Sequence, residues 1–298
     1  MKLSRLLRFA LAAGLLGLIA FAAVSAFFAY QFTGPHRRPV GAIPSSLPAD
    51  TRDVTFPSRD QVALSGWFVP SPGATTAVVL LHGHGSTRQQ MVARAQLLHA
   101  RGFAVLLYDA RGHGKSAGTL TSVGWYETRD LLGALDFLRA QCFHSFSCLG
   151  ASQGGATIAL AAGQLADVHW VVLESAYPTL RHALDYRFRR IFHLPVSLAG
   201  ALLVPFAERR LGVNLDAIAP AQTIARLRCP VFIAAGDSDS STPVSDTRLL
   251  FASAPSPKTL WLVPHAGHRD LYGAAPQEYE QHLLGFIASV SPAQPATP

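Results

Sequence analysis

Charged residues are scarce in this sequence, and lysine is nearly absent from it. Only 14% of the 298 residues are charged and 49% are hydrophobic, which excludes a wholly disordered chain. The length is enough for one large core or at most two small ones. The net charge of +7 comes from arginines that are spread along the chain without interleaved aromatic residues, unlike the pattern of nucleic-acid-binding proteins. We therefore expect no nucleic-acid partner, and a modest basic surface near anionic lipid is the use that this charge favours.

Cysteine is also rare, and Cys142, Cys148 and Cys229 are the three in the chain. Their spacing to the histidines matches no zinc site, and no other pattern in the sequence implies a metal ion or an organic cofactor. In an oxidising compartment Cys142 and Cys148 can pair across a short loop. Alternatively, Cys148 is a small apolar residue in a buried strand. The sequence leaves both interpretations open.

Long apolar runs are absent apart from one near the N-terminus, Phe9–Tyr30, which has 22 positions without a charge. A helix of that length reaches about 33 Å, enough to cross a hydrocarbon core of roughly 30 Å. Lys2, Arg5 and Arg8 precede it, so the positive-inside tendency predicts a single-pass membrane protein with its main domain on the extracytoplasmic, or periplasmic, side. The alternative is a signal peptide, cleaved weakly at Val24–Ala26, and a secreted product.

Three regions follow from these patterns: a signal anchor over residues 1–35, a proline-containing tether over 36–50, and one domain over 51–298. In the domain, short β-rich runs alternate with segments of helical period, which predicts an α/β fold with a mostly parallel eight-stranded sheet and helices on both faces. The predicted strands lie near 54–56, 63–69, 77–81, 104–108, 146–149, 170–173, 231–235 and 259–263. The predicted helices are 87–100, 126–139, 153–163, 244–252 and 277–289.

One interval, about 177–228, contains no convincing strand and predicts a helical cap over the carboxyl edge of the sheet. Its segment Arg181–Arg210 carries six arginines against two acidic residues, a net charge of +4. This segment is either a solvated amphipathic hairpin or a surface that contacts anionic lipid and presents the apolar stretch 194–206 to substrate or membrane. Two prolines bracket only about nine apolar residues there, too few for a second transmembrane span.

The stretch GASQG at 150–154 fits the pattern G-x-S-x-G and lies between a predicted strand and a predicted helix. A serine in that position occupies a tight turn, so the residues two positions away on either side must be nearly free of side chain. The turn points the Ser152 hydroxyl out of the sheet. It also leaves the Gln153 amide at a helix N-terminus, where it can meet negative charge. We interpret Ser152 as a candidate nucleophile.

A serine hydroxyl is a poor nucleophile until a base takes its proton, so a histidine and an orienting acid are needed. His268 lies on a glycine-bearing loop after the last predicted strand, and we prefer it to its neighbour His265. Asp239 follows the seventh predicted strand and precedes a Thr-Pro turn that can angle it toward His268. Asp237 is the alternative acid. With Asp239 in that role, Asp237 would accept hydrogen bonds from amides of the turn.

A second amide for an oxyanion site is expected in the loop His82–Gly85, which follows the third predicted strand. Its glycines let the backbone approach a ligand closely, and the amide of His84 is the expected partner of the amide of Gln153. His82 and His84 can alternatively be metal ligands at i and i+2, but no other feature of the sequence completes such a site.

These motifs together resemble the α/β-hydrolase superfamily, and within it the membrane-anchored serine hydrolases and related bacterial esterases. The matching segments cover most of residues 50–290: SGWFVPSPG, LLHGHG, YDARGHGKS, GWYETRDLLGALDFL, GASQGG, LESAYPTL, AGDSDSSTPV and HAGHRDL. The resemblance implies Ser152 as nucleophile, Asp239 as orienting acid and His268 as base, with the amides of His84 and Gln153 as oxyanion hole. The sequence departs from the common pattern at His265 and in its longer, more apolar cap.

The expected activity is therefore hydrolysis of a carboxylic ester or thioester through an acyl-enzyme, on a partly hydrophobic small-molecule or lipid-like substrate. Asp109 and Arg111, within a further segment shared with the superfamily, are expected to brace loops rather than to catalyse. Two alternatives stay open: a serine peptidase of the same fold, and a membrane-anchored binding protein without activity. The sequence does not indicate an oligomeric state.

Overall fold

The centre of the fold is a mostly parallel sheet of eight strands in the order β1-β2-β4-β3-β5-β6-β7-β8. In this computed structural model residues 2–192, 196–268 and 270–290 are described. The strands are β1 Arg52–Pro57, β2 Ala63–Val69, β3 Thr76–Leu81, β4 Ala104–Tyr108, β5 Ser145–Ala151, β6 Val168–Glu174, β7 Val231–Gly236 and β8 Lys258–Val263. Strand β2 is antiparallel to β1 and β4, and the other pairs are parallel. The predicted α/β sheet is confirmed.

Helices cover both faces of this sheet. The helices of the described residues are α1 Lys2–Thr33, α2 Val92–His99, α3 Glu127–Ala140, α4 Gln153–Leu160, α5 Leu180–Phe192, α6 Val196–Leu211, α7 Pro220–Thr223, α8 Val244–Ser253, α9 Leu271–Ala274 and α10 Pro276–Val290. Helices α2 and α10 pack on one face, and α3, α4 and α8 pack on the other. Two predicted helices are shorter than expected. The helix predicted at 87–100 begins with a 3-10 turn, Arg88–Met91, and the helix predicted at 153–163 ends at Leu160 before a second 3-10 turn.

The continuous apolar strands reflect burial on both faces of the sheet. On β3, Val79 and Leu81 face the core layer under α3 and α4, whereas Val78 and Leu80 face the layer under α2 and α10. The same packing decides between a Cys142–Cys148 disulfide and a buried, unpaired Cys148. Cys148 lies buried on β5, and none of the three cysteines, all of which are described, forms a disulfide.

Helix α1 is long and apolar enough over Leu7–Thr33 to cross a membrane, with a mean hydropathy of 2.3. Its large apolar side chains are exposed along most of that length, as expected for either a membrane anchor or a signal sequence. The last turns of the helix differ, because Ala29 and Thr33 are buried and the helix packs against α6 of the cap. The end of α1 is therefore part of the folded domain.

Residues 36–50, predicted to be a tether, are packed against the domain rather than free of it. The side chains of Val40 and Leu47 are buried in the core layer under α2. The backbone of His36 forms a parallel bridge with His113, in which the His36 amide donates to the Gly112 carbonyl at 2.6 Å. The proline content of the segment predicted a linker, but proline content gives no information on the apolar side chains that pack the segment against the domain.

Candidate active site

Ser152 occupies a strained turn between β5 and α4, with φ of +50° and ψ of −111°. Its amide donates to the Glu174 carbonyl of β6 at 2.7 Å, which holds the turn against the sheet. A Cβ atom on Gly150 would lie 2.3 Å from the carbonyl carbon of Gly154, and one on Gly154 would lie 2.3 Å from the Leu81 carbonyl oxygen. Only glycine fits at these two positions, for the steric reason inferred from the sequence.

Three predicted side chains meet at the carboxyl edge of the sheet. The Oγ atom of Ser152 lies 3.2 Å from Nε2 of His268, and Nδ1 of His268 lies 2.8 Å from Oδ2 of Asp239. The second carboxylate oxygen of Asp239 accepts hydrogen bonds from the amides of Ser241 and Thr242, both at 2.8 Å. Because these amides fix the carboxylate, Asp239 can hold the imidazole in one orientation and tautomer.

The alternative acid and base have a different place in the same loops. The amide of His265 donates to Oδ1 of Asp237 at 2.7 Å, and the His265 side chain is exposed at a φ of +58°. Asp237 thus fastens the loop after β8 to the loop after β7. This contact positions the segment that carries His268.

The loop after β3 brings His84 beside Gln153, and Nδ1 of His84 lies 2.9 Å from Oε1 of Gln153. Among the described residues, the backbone amides of His84 and Gln153 donate no hydrogen bond, and the latter is at the N-terminus of α4. Oε1 of Gln90 accepts from the Gly83 amide at 2.8 Å and holds the loop in place. Two unused donors next to Ser152 suit a developing oxyanion.

Asp109 and Arg111 brace the loops around this edge. The Asp109 carboxylate accepts from the amides of Arg88 and Lys115, at 2.8 and 2.9 Å, and pairs with the buried Arg88 guanidinium. Arg111 pairs with Asp130, a contact between two buried side chains. These contacts match the structural role expected from the sequence.

A narrow pocket opens above Ser152 and His268. Its apolar wall comes from Phe32 at the end of α1, Val123 and Leu180, and Arg187 of α5 adds a charge. Sequence reasoning missed Phe32, because no local signal relates the end of an apolar helix to a catalytic loop 120 positions away. The apolar stretch 194–206 expected to face the substrate lies partly outside the described residues, which omit 193–195, and the side chains of 196–203 are not described either.

Four imidazoles cluster beside the oxyanion loop, those of His36, His82, His84 and His113. The ring centroids of His36 and His84 are 4.5 Å apart, and those of His82 and His113 are 5.0 Å apart. Burial lowers the pKa of each ring, and for His113 burial and the neighbouring His82 lower it to about 4. All four rings are therefore neutral at neutral pH. Sequence spacing relates His84 only to His82, at i and i+2, and no motif relates either residue to His36 or His113.

Acidification is expected to destabilise the fold through this cluster. The imidazole of His113 has a pKa of about 6.5 in the unfolded chain and about 4 in the folded protein. Its contribution to the free energy of unfolding is therefore complete above pH 6.5 and is lost as the pH falls toward 4. At about 1.4 kcal/mol per pH unit, this one group contributes at most about 3.5 kcal/mol. Urea unfolding at pH 7.5 and pH 5 should show a smaller loss in His113→Gln than in the original protein. Equal losses in the two proteins would contradict this assignment.

Comparison with known proteins relates this chain to a family and to solved structures of the same fold. A family model described as "Serine aminopeptidase, S33" matches residues 73–213. An uncharacterized protein of Mycobacterium tuberculosis is 30% identical over 241 residues, which cover 79% of this chain and 78% of that protein. An uncharacterized membrane protein of Saccharomyces cerevisiae is 24% identical over 185 residues, or 58% of this chain and 64% of that protein.

Among solved structures, an esterase of Pyrococcus furiosus superposes with a TM-score of 0.73 at 24% identity, covering 87% of this chain and 98% of that one. The fold is thus that of an α/β hydrolase, a class defined by such a sheet with its catalytic loops at the carboxyl edge. The chain belongs to the same family as its mycobacterial relative.

Proposed function

We propose that this protein is a serine esterase that cleaves carboxylic esters or thioesters through an acyl-enzyme. The observation that carries the proposal is the continuous hydrogen-bonded series from Ser152 to His268 to Asp239, with distances of 3.2 and 2.8 Å. The Pyrococcus furiosus esterase, which has the same fold, supports it.

The proposed reaction begins when Oγ of Ser152 attacks the ester carbonyl while Nε2 of His268 takes its proton. The amides of His84 and Gln153 stabilise the negative charge on the carbonyl oxygen, and the carboxylate of Asp239 stabilises the imidazolium. The protonated His268 then gives its proton to the leaving alcohol or thiol. A water molecule then attacks the acyl-enzyme while the same imidazole takes its proton, and this proton passes to Oγ of Ser152 as the bond to the acyl group breaks and the carboxylic acid leaves.

The substrate is proposed to be partly hydrophobic and to reach the site close to a membrane. Phe32, which ends the apolar helix α1, is also part of the pocket wall, so a bilayer crossed by this helix would lie next to the pocket. The three basic residues before the apolar run favour an extracytoplasmic catalytic domain. A lipid-like ester fits this placement.

Acyl-chain length tests the substrate class. With p-nitrophenyl esters from acetyl to palmitoyl, kcat/KM is expected to rise with chain length while the pocket fills, by about fourfold per buried methylene. Phe32→Ala should reduce this preference for longer chains. Phe9→Ala provides the matched control, because Phe9 lies on the same helix with its side chain 75% exposed. Equal kcat/KM values across the series would contradict an acyl-binding pocket.

A serine peptidase is the second candidate, favoured by the family model whose description is a serine aminopeptidase. The same three side chains can cleave an amide, with the amine as leaving group. Comparison of p-nitroanilides of short peptides with p-nitrophenyl esters distinguishes the two reactions. A higher kcat/KM for the anilides would favour the peptidase.

A further inference from the structure

Three histidines from distant parts of the sequence converge next to the proposed oxyanion hole. One ring nitrogen each from His36, His84 and His113 lies within 4.8 Å of the other two. His36 belongs to the segment after α1, His84 to the loop after β3, and His113 to the loop after β4. The hydrolytic mechanism uses the backbone of His84 but none of these three imidazoles.

The hydrogen bonds of the rings determine which nitrogens carry lone pairs. Nδ1 of His84 faces Oε1 of Gln153, which can only accept, so this nitrogen carries the proton and Nε2 is left with a lone pair. His113 has the same arrangement, because its Nδ1 faces the Arg111 carbonyl at 2.9 Å and its Nε2 accepts from the Gly85 amide at 3.1 Å.

His36 completes the pattern. Its ring forms a hydrogen bond with the backbone of Phe32, and its Nε2 atom is buried without a hydrogen-bond partner among the described residues. A buried ring nitrogen without a partner is unfavourable unless a ligand satisfies it. In all three rings, a side-chain oxygen or a backbone group thus orients one nitrogen, and Nε2 is left available to bind a ligand. Histidines that bind metals are oriented in this way.

The charge state of the cluster also suits a cation ligand set. Burial lowers the pKa of all three imidazoles, and neutral imidazole is the form that coordinates metals. Imidazole nitrogens favour Zn²⁺ and its neighbours Cu²⁺ and Ni²⁺ over Mg²⁺ or Ca²⁺. Three histidines with an open fourth position are a known coordination set for Zn²⁺.

We propose that His36, His84 and His113 form a binding site for a divalent transition-metal ion of the Zn²⁺ class, with water as the fourth ligand. Zn–N bonds of about 2.0–2.1 Å in tetrahedral geometry separate ligand nitrogens by roughly 3.4 Å, so the rings must approach by at most about 1.4 Å. His113 exchanges its hydrogen bond from Gly85 for the metal bond. No proton is released, because each Nε2 already carries a lone pair.

The bound ion joins the membrane-proximal end of the chain to the oxyanion loop. Residue 36 lies three positions after the end of α1, and the backbone amide of His84 is one of the two proposed oxyanion donors. Occupancy of the site therefore restrains the loop that carries this donor relative to the end of α1. The site differs in place and in chemistry from the Ser152 hydroxyl, which needs no metal.

Cobalt spectroscopy tests the proposal without reference to hydrolysis. Full-length protein in detergent, purified with a histidine-free tag, is titrated with Co²⁺. The expected result is one equivalent of a visible absorption band of tetrahedral Co²⁺ that Zn²⁺ abolishes by competition. His36→Gln and His113→Gln should each weaken the affinity at least tenfold, whereas the control His169→Gln, an exposed residue at the far end of β6, should not.

Circular dichroism of each variant verifies folding. Thermal unfolding gives a second readout, since an ion that binds the folded state should raise Tm more in the original protein than in the two variants at the same metal concentration. Absence of a tetrahedral Co²⁺ band, or equal affinity in the original protein and both variants, would overturn the proposal. Because neither readout depends on turnover, a failure here leaves the esterase proposal intact, and the reverse also holds.

Discussion

Replacement of Ser152 by alanine is expected to lower kcat for a p-nitrophenyl ester by about 10⁴- to 10⁶-fold. The variant retains the amides of His84 and Gln153, so a small residual rate from binding and oxyanion stabilisation should remain. The fold should be unaffected, because the alanine keeps the backbone of the turn and the hydrogen bond from its amide to the Glu174 carbonyl. Initial rates over a range of substrate concentrations separate kcat from KM.

Ser147→Ala is the matched control for this experiment. Ser147 lies on β5, five positions before Ser152, and its buried hydroxyl has no hydrogen-bond partner within the described part of the chain. Its loss should leave kcat within a factor of about two of the original, in line with the small effects typical away from functional groups. A Ser152→Ala variant with at least a tenth of the original kcat would exclude Ser152 as the nucleophile.

Asp239→Asn is expected to produce the second largest effect, a fall in kcat of about 10⁴-fold. The asparagine oxygen can still accept from the amides of Ser241 and Thr242, so the turn should keep its shape. Its NH₂ group then faces Nδ1 of His268. Because this nitrogen must accept from the new donor, the imidazole takes the tautomer in which Nε2 is protonated and can no longer act as base toward Ser152.

The neighbouring substitution Asp237→Asn makes the same chemical change without that consequence. Oδ1 of Asp237 accepts from the His265 amide, and an asparagine oxygen can replace it. We expect a change in kcat of no more than a few fold. If Asp237→Asn lost as much activity as Asp239→Asn, the assignment of Asp239 as the orienting acid and Asp237 as a loop contact would be wrong.

Much of the fold was predictable because the composition of a strand reflects whether one or both of its faces are buried. Strands such as VVLL in β3 and WVVL in β6 are apolar throughout, as parallel strands covered on both faces must be. The turn that carries Ser152 was predictable for a steric reason, since the contacts that exclude a Cβ atom at Gly150 and Gly154 lie close to that turn. Chain order then limited the choice of partners for Ser152.

The contacts of the N-terminal segment were not predictable in this way. Phe32 lines the pocket, and the ring of His36 lies against those of His84 and His113, because the end of α1 packs against α6 and residues 36–50 pack on the core layer under α2. No hydrophobic period or spacing rule relates these residues, since each contact spans roughly 50 to 120 positions of chain. The same limitation explains why proline content alone predicted a tether where the segment is packed.

The most direct test of the central claim is the site of covalent labelling by a fluorophosphonate. Such a probe reacts with an activated serine hydroxyl and requires the base and the oxyanion donors to be in place. With Ser152 as the nucleophile, we expect one adduct per chain, mapped by peptide mass spectrometry to Ser152 and absent from Ser152→Ala. Ester hydrolysis by a protein that takes up no label, or an adduct on another residue, would contradict it.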